Sequence, residues 1–286
     1  MRWQSGRESG NVEDRRGMSP AMVGGGLGTL VVILLGLFFG IDPRPLLQVM
    51  NRGGGPAAQQ QRQRELTPEE ERQGEFARRL LGMTEDVWRD QFAEMGKRYQ
   101  EPTLVLFSGQ VSTEGCGFAS SAVGPFYCPA DQRVYIDLTF YDELERRFKA
   151  PGEFARAYVL AHEVGHHVQN LLGISEEVTR AQRQVGQAEA NALSVRLELQ
   201  ADFLAGVWAH HIQEREQVLE PGDIESGLRA ATAIGDDALQ KQAQGYTVPD
   251  SFTHGTSEQR ARWFIRGFKT GDIDQGDTFK VDAADL

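Results

Sequence analysis

The chain has 286 residues, 40% hydrophobic and 25% charged, which at ~150 residues per domain means one large domain or two small ones. This composition excludes disorder throughout and a polytopic membrane protein. Thirty Lys and Arg against 41 Asp and Glu leave a net charge of -11, so no basic face is available to a general nucleic-acid binder. Two cysteines, Cys116 and Cys128, are too few for a disulfide scaffold or an all-cysteine zinc site.

The first 65 residues read as non-globular. A polar segment, 1–21, carries Arg2, Arg7, Arg15 and Arg16. Residues 22–41 hold no charge, and twenty residues at ~1.5 Å each reach about one bilayer core, which predicts a transmembrane anchor. A cleaved signal peptide is the other reading, but no small-x-small site follows the apolar run. The arginine bias predicts a single-pass protein with the N-terminus in the cytoplasm and the bulk of the chain outside. Gly24-x-x-x-Gly28 and Gly36-x-x-x-Gly40 would allow a dimer through the anchor, or be tolerated glycines only. Residues 42–66 read as a flexible linker, and the ordered domain is expected over 67–286.

Thr67-Pro68-Glu69-Glu70 is a capping box with Pro at the first helical position, which predicts a helix over 68–81. Thr84 is expected to cap a second one. Thr103–Phe107 and Arg133–Leu138 are strand-like, and a turn-rich loop separates them. Cys116 and Cys128 bracket the later part of that loop, as a disulfide in an oxidising compartment or as two buried thiols. Val134–Leu138 is the candidate edge to which an extended substrate would add as a strand.

A helix is expected from Glu153 to Leu172, ended by Gly173. It contains His162-Glu163-Val164-Gly165-His166, an HExxH motif. Imidazoles at i and i+4 share one helical face and can reach one zinc, while Glu163, rotated ~100°, addresses a water. Three protein ligands and a water make the usual catalytic zinc site. Gln169 and Leu172 stand where the longer HExxHxxGxxH motif needs Gly and His, so the third ligand is sought on another helix. Glu198 and Asp202 lie one turn apart in Arg196–Asp202. Glu198 is read as the third ligand and Asp202 as the acceptor for the second N–H of a ligating histidine. Ala201, Ala205, Gly206 and Ala209 would let this helix approach the HExxH helix. One Zn2+ per chain is expected, with Glu163 as general base. Candidate donors to the oxyanion are His254, His167 and Tyr158, of which His254, in a polar loop before a helix starting near Ser257, is assigned a catalytic role. His167 is read as structural and His210 and His211 as surface residues. Residues 175–195 read as a helical spacer, and the C-terminal aspartates as a solvated tail.

These blocks resemble the family of putative neutral zinc metallopeptidases, bacterial proteins with an N-terminal anchor. The resemblance covers Asn11–Gly17, Gly115–Gly117, Ser120–Pro129, His162–His167, Glu198–Asp202 and Ser251–Gly255, with Phe203 replacing an expected cysteine. It implies an α+β, zincin-like fold, mostly helical with a small sheet on the HExxH helix. It implies zinc on His162, His166 and Glu198, with Glu163 catalytic and protein or peptide substrates. A zinc-stabilised binding or scaffold protein and a zinc amidase acting on cell-wall peptides remain the other readings.

Overall fold

The computed structural model describes residues 1–17 and 64–286. The predicted anchor, its GxxxG pairs and most of the linker lie outside the described residues. Strands β1 (Val12–Asp14), β2 (Thr103–Phe107), β5 (Phe126–Cys128) and β6 (Arg133–Asp137) form one sheet in the order β1-β2-β6-β5, while β3 (Gln110–Ser112) and β4 (Phe118–Ser120) form a separate hairpin. β1, β2 and β6 run parallel, and β5 is antiparallel to β6.

Alternation along the strands splits the core in two. Leu104, Leu106, Val134 and Ile136 face the main core, whereas Val105, Phe107 and Tyr135 face a smaller cluster with Val111 of β3 and Cys128. Both faces of the sheet are covered, which is why Thr103–Phe107 is a nearly continuous apolar run. β6 is paired on both sides, so the expected substrate edge Val134–Leu138 is corrected: among the described residues the open edges of this sheet are β1 and β5.

Cys116 and Cys128 are joined by a disulfide with Cα atoms 5.9 Å apart, closing the loop before β6. Replacing both by serine should lower unfolding stability by about 3 kcal/mol, the entropy of a loop this short, measured by denaturant titration.

Helix α1 (Pro68–Glu94) starts at the expected capping box on Thr67 and Glu70 but does not stop at 81. Thr84 caps nothing: its hydroxyl donates to Leu81 O within a continuous helix. Gly82 is there for contact, because a Cβ would stand 2.3 Å from Arg7 O.

That contact corrects the reading of the N-terminus. Trp3 is buried edge-on against Phe76, and its Nε1 donates to Glu153 at 2.9 Å. The buried Glu85 accepts from Ser9 Oγ at 2.6 Å and Asn11 Nδ2 at 2.8 Å. Arg16 is buried between Asp14 and Glu70 O. Residues 1–17 are thus built into the same core as 64–286. The expected fold class is corrected with them. A single span at 22–41 would set β1 and β2 on opposite sides of a membrane, and the ladder Val12–Leu104 to Asp14–Leu106 joins them. Among the described residues, no helix is long and apolar enough to cross a membrane. What stands is a mostly helical α+β fold with a small sheet.

After α2 (Phe140–Arg146) come α3 (Glu153–Leu171), the HExxH helix, then α4 (Ile174–Gln182) and α5 (Gln187–Glu216). Helices α6 (Asp223–Ala233), α7 (Asp236–Gln244) and α8 (Ser257–Thr270) follow. Residues Leu199–Ala209 of α5 are buried without a break. A helix apolar all round lies at the centre of a core. On one side it meets α3, where a Cβ on Gly165 would stand 2.9 Å from Ala201 O. Gly206, expected to face the HExxH helix, instead meets α8: a Cβ there would be 2.1 Å from Phe264 O, and one on Gly267 2.0 Å from Phe203 O. Gly267→Ala should therefore cost about 3 kcal/mol or more, since only a shift of both backbones relieves the clash. A thermal melt checks it, and an unchanged midpoint would contradict the packing.

Asp272, Asp274, Asp282 and Asp285 are exposed as expected, but the segment that carries them is docked on the domain and is no free tail. Thr278 is buried and donates to Arg196 O at 2.7 Å, and Gln200 Nε2 donates to Gly276 O at 3.0 Å.

Candidate metal centre

One turn of α3 sets His162 and His166 in edge-to-face contact, with ring centroids 4.8 Å apart. The close approach at Gly165 brings Glu198 of α5 opposite them. His162 Nε2 lies 3.2 Å from Glu198 Oε2, and His166 Nε2 lies 3.4 Å from Glu198 Oε1. Ligand atoms around a tetrahedral zinc at ~2.1 Å are about 3.4 Å apart, so the spacing fits that ion. The donor set fits as well: two imidazole nitrogens and a carboxylate, all ligand atoms within 4.8 Å of one another.

Each imidazole is aimed from behind. His162 Nδ1 lies 2.9 Å from Asp202 Oδ1 and His166 Nδ1 lies 2.9 Å from Gln169 Oε1. Both partners are acceptors, so each ring donates from Nδ1 and turns the Nε2 lone pair to Glu198. Gln169 is itself oriented, donating from Nε2 to Leu197 O at 2.7 Å and to Gln200 Oε1 at 3.1 Å. Asp202 is fully buried and receives Arg260 twice, Nε to Oδ2 at 2.8 Å and Nη2 to Oδ1 at 3.0 Å. Tyr158 donates its hydroxyl to the same carboxylate.

The charges follow from this frame. Burial opposes ionisation of both carboxyls, yet His166 and His162 hold Glu198 below its ordinary range, and Arg260 with His162 does the same for Asp202. Burial would likewise depress His162, but Asp202 and Glu198 outweigh it and hold its pKa at about 10. Arg260 balances Asp202, which leaves Glu198 facing the histidines for a cation to neutralise. In the metal-free chain a proton on His162 takes that place.

Glu163 follows His162 on α3 and is 8% exposed. Of the oxyanion candidates, Tyr158 is spent on Asp202 and accepts from Arg260 at 3.2 Å. His167 is fully buried, with Nδ1 3.0 Å from Tyr127 Oη and Nε2 2.6 Å from Gln100 O. It ties α3 to β5 and to the segment before β2. His254 alone of the three is exposed, 51% by side chain. Its Nδ1 lies 3.3 Å from Asp236 Oδ1, and Asp236 also accepts the backbone N–H of Thr253, His254 and Gly255. The Asp236 hydrogen bond raises the His254 pKa against burial, with Glu198 adding to the rise.

Arg260, Gln169 and Asp236 escape the sequence reading. Gln169 stands three residues after His166, a spacing that allows it to reach the ring. Arg260 and Asp236 carry no such local mark. A cavity of about 610 Å³ lies behind the site, walled by Gln200, Phe203 and Phe279, and does not open on the histidines.

The uncharacterized protein YpfJ of Escherichia coli is 53% identical, over 98% of this chain and 99% of its own length. An uncharacterized protein of Mycobacterium tuberculosis is 50% identical, over 66% of this chain and 65% of its own length. No solved structure matches. A sequence model described as "Putative neutral zinc metallopeptidase" matches residues 1–279, taking in the N-terminal strand as well as α3, α5 and α8, and the chain belongs to that family.

Proposed function

We propose that the protein is a zinc-dependent peptidase that hydrolyses peptide bonds in protein or peptide substrates. The observation that carries this reading is the convergence of His162 Nε2, His166 Nε2 and Glu198 beside Glu163, with both Nδ1 atoms held from behind. A zinc ion held by His162, His166 and Glu198 would supply Lewis acidity, polarising a carbonyl and making a water more acidic. Glu163 takes the proton of the attacking water on its carboxylate and returns it to the leaving amine. His254, oriented by Asp236 through Nδ1, offers Nε2–H to the developing oxyanion. Asp202, locked by Arg260 and Tyr158, keeps the His162 ring in place through the cycle. The open edge of β5, tied to α3 by the Tyr127–His167 hydrogen bond, supplies backbone groups for an extended substrate.

The test is a peptide library incubated with the zinc-loaded chain, wild type beside Glu163→Gln. Loss of the general base should lower hydrolysis about 10²- to 10⁴-fold while zinc content stays the same. Hydrolysis unaffected by the substitution would end this assignment of Glu163. Cell-wall peptides assayed in parallel separate a peptidase from an amidase.

A further inference from the structure

Beyond Asp202, α5 continues for more than three turns and ends with His210, His211 and Glu214. These residues belong to no part of the site above. Among the described residues, theirs is the other group of three whose ligand atoms lie within 4.8 Å of one another.

Their hydrogen bonds fix what each nitrogen can do. His210 Nδ1 lies 2.8 Å from Phe268 O, and His211 Nε2 lies 2.8 Å from Gly271 O. Both carbonyls belong to the C-terminal end of α8, where helix carbonyls lack intrahelical donors. A carbonyl only accepts, so each ring spends its N–H there. The remaining nitrogen, Nε2 of His210 and Nδ1 of His211, carries a lone pair. Both lone pairs are turned to Glu214: His210 Nε2 is 3.4 Å from Oε1, and His211 Nδ1 is 3.7 Å from Oε2.

With both rings neutral, three acceptors face one another, and among the described residues no donor lies between them. That arrangement is repulsive unless a cation lies among them. A single proton bridges two atoms, whereas a metal ion engages all three. The two separations from Glu214 are close to the ~3.4 Å of a tetrahedral zinc site, and all three ligand atoms lie within 4.8 Å of one another. Each ring is also braced from its far nitrogen by a carbonyl, the support that ligating histidines generally have. The negative end of the α8 dipole adds to the attraction for a cation. The neighbouring Arg215 is held by Asp90 at 2.5 Å. A hollow of about 280 Å³ borders His211 and Glu214, with room for water to complete a coordination shell.

We propose that His210, His211 and Glu214 form a second metal site, which binds a divalent transition ion of the zinc class through two imidazoles and one carboxylate. The ion clamps the C-terminal ends of α5 and α8. These are the helices that meet at Gly206 and Gly267 and carry Glu198, Asp202 and Arg260. Occupancy therefore braces the helix pair behind the catalytic ligands.

The full chain, stripped with chelator, is titrated with Zn2+ by calorimetry, and bound zinc is counted after dialysis. Wild type should take up two equivalents. Glu214→Gln, at an exposed position, should weaken one of them ~10-fold or more. His211→Gln keeps an amide donor for Gly271 O and should have the same effect. Glu198→Ala should lose the other equivalent and keep this one, still showing a zinc-dependent rise in melting temperature. A single equivalent in wild type that Glu198→Ala abolishes, or a second one that survives both Glu214→Gln and His211→Gln, would overturn the proposal. If Glu198→Ala instead keeps both equivalents while Glu214→Gln keeps one, the outer site stands and the assignment at His162 fails.

Discussion

Arg260→Met should destabilise the zinc-loaded protein by about 3–5 kcal/mol, because it leaves the carboxylate of Asp202 buried without its cation. In a chain of this size that is a fall of about 10 °C in melting temperature. The guanidinium is buried, and its two hydrogen bonds to Asp202 have no solvent to replace them. The metal-free protein should lie at the low end of the range. There His162, protonated up to about pH 10, still faces Asp202. Zinc affinity should fall as well, about 10- to 100-fold, since Asp202 no longer fixes the His162 ring. Arg260→Lys restores charge without the two-pronged contact and should recover only part of both losses. The double variant with Asp202→Asn separates the two effects. Removing both charges should return much of the stability, yet zinc affinity should stay low. Equal recovery of both would mean that Asp202 acts only in packing.

Acid should unfold the protein partly through His167. Burial depresses its pKa to about 4, even though the Gln100 carbonyl accepts its Nε2–H. The unfolded chain takes up the proton near the ordinary value of 6.5, so between pH 6.5 and 4 the unfolded state binds more protons than the native state. Stability is therefore full above pH 6.5 and is lost as the pH falls toward 4, by about 3 kcal/mol from this residue. Denaturant titrations of the chelator-treated protein from pH 7 to 4 measure the slope. His167→Gln keeps a donor for Gln100 O and removes the titration. Its slope should be shallower, while the carboxylates and the other histidines act equally in both proteins. Parallel curves would show that His167 does not contribute.

What could be read without a structure was local. His162 and His166 share a face because four residues make about one helical turn, whatever surrounds them. Glu198 and Asp202 follow the same rule, and the capping box at Thr67 is set within four residues. Thr103–Phe107 was visible as an apolar run, and the strand read over Arg133–Leu138 spans Arg133–Asp137. The N-terminal segment was misread for the converse reason. It has little apolar periodicity, and its arginines suggest a solvated flank until Glu85, Asp14 and the carbonyl of Glu70 are placed against them. Gly206 was assigned to the wrong neighbour because small residues announce a close approach without naming the partner.

The sequence by itself determined which groups are brought together: two imidazoles and the Glu198 carboxylate, with Glu163 beside His162, spaced by the pitch of two helices. Only the tertiary structure decided which charge locks Asp202, which nitrogen of each histidine faces Glu198, and that β1 belongs to the central sheet. Those choices are made between residues tens of positions apart. Which buried cation meets which carboxylate depends on helix crossing and burial, and neither quantity is written in the spacing of side chains along the chain.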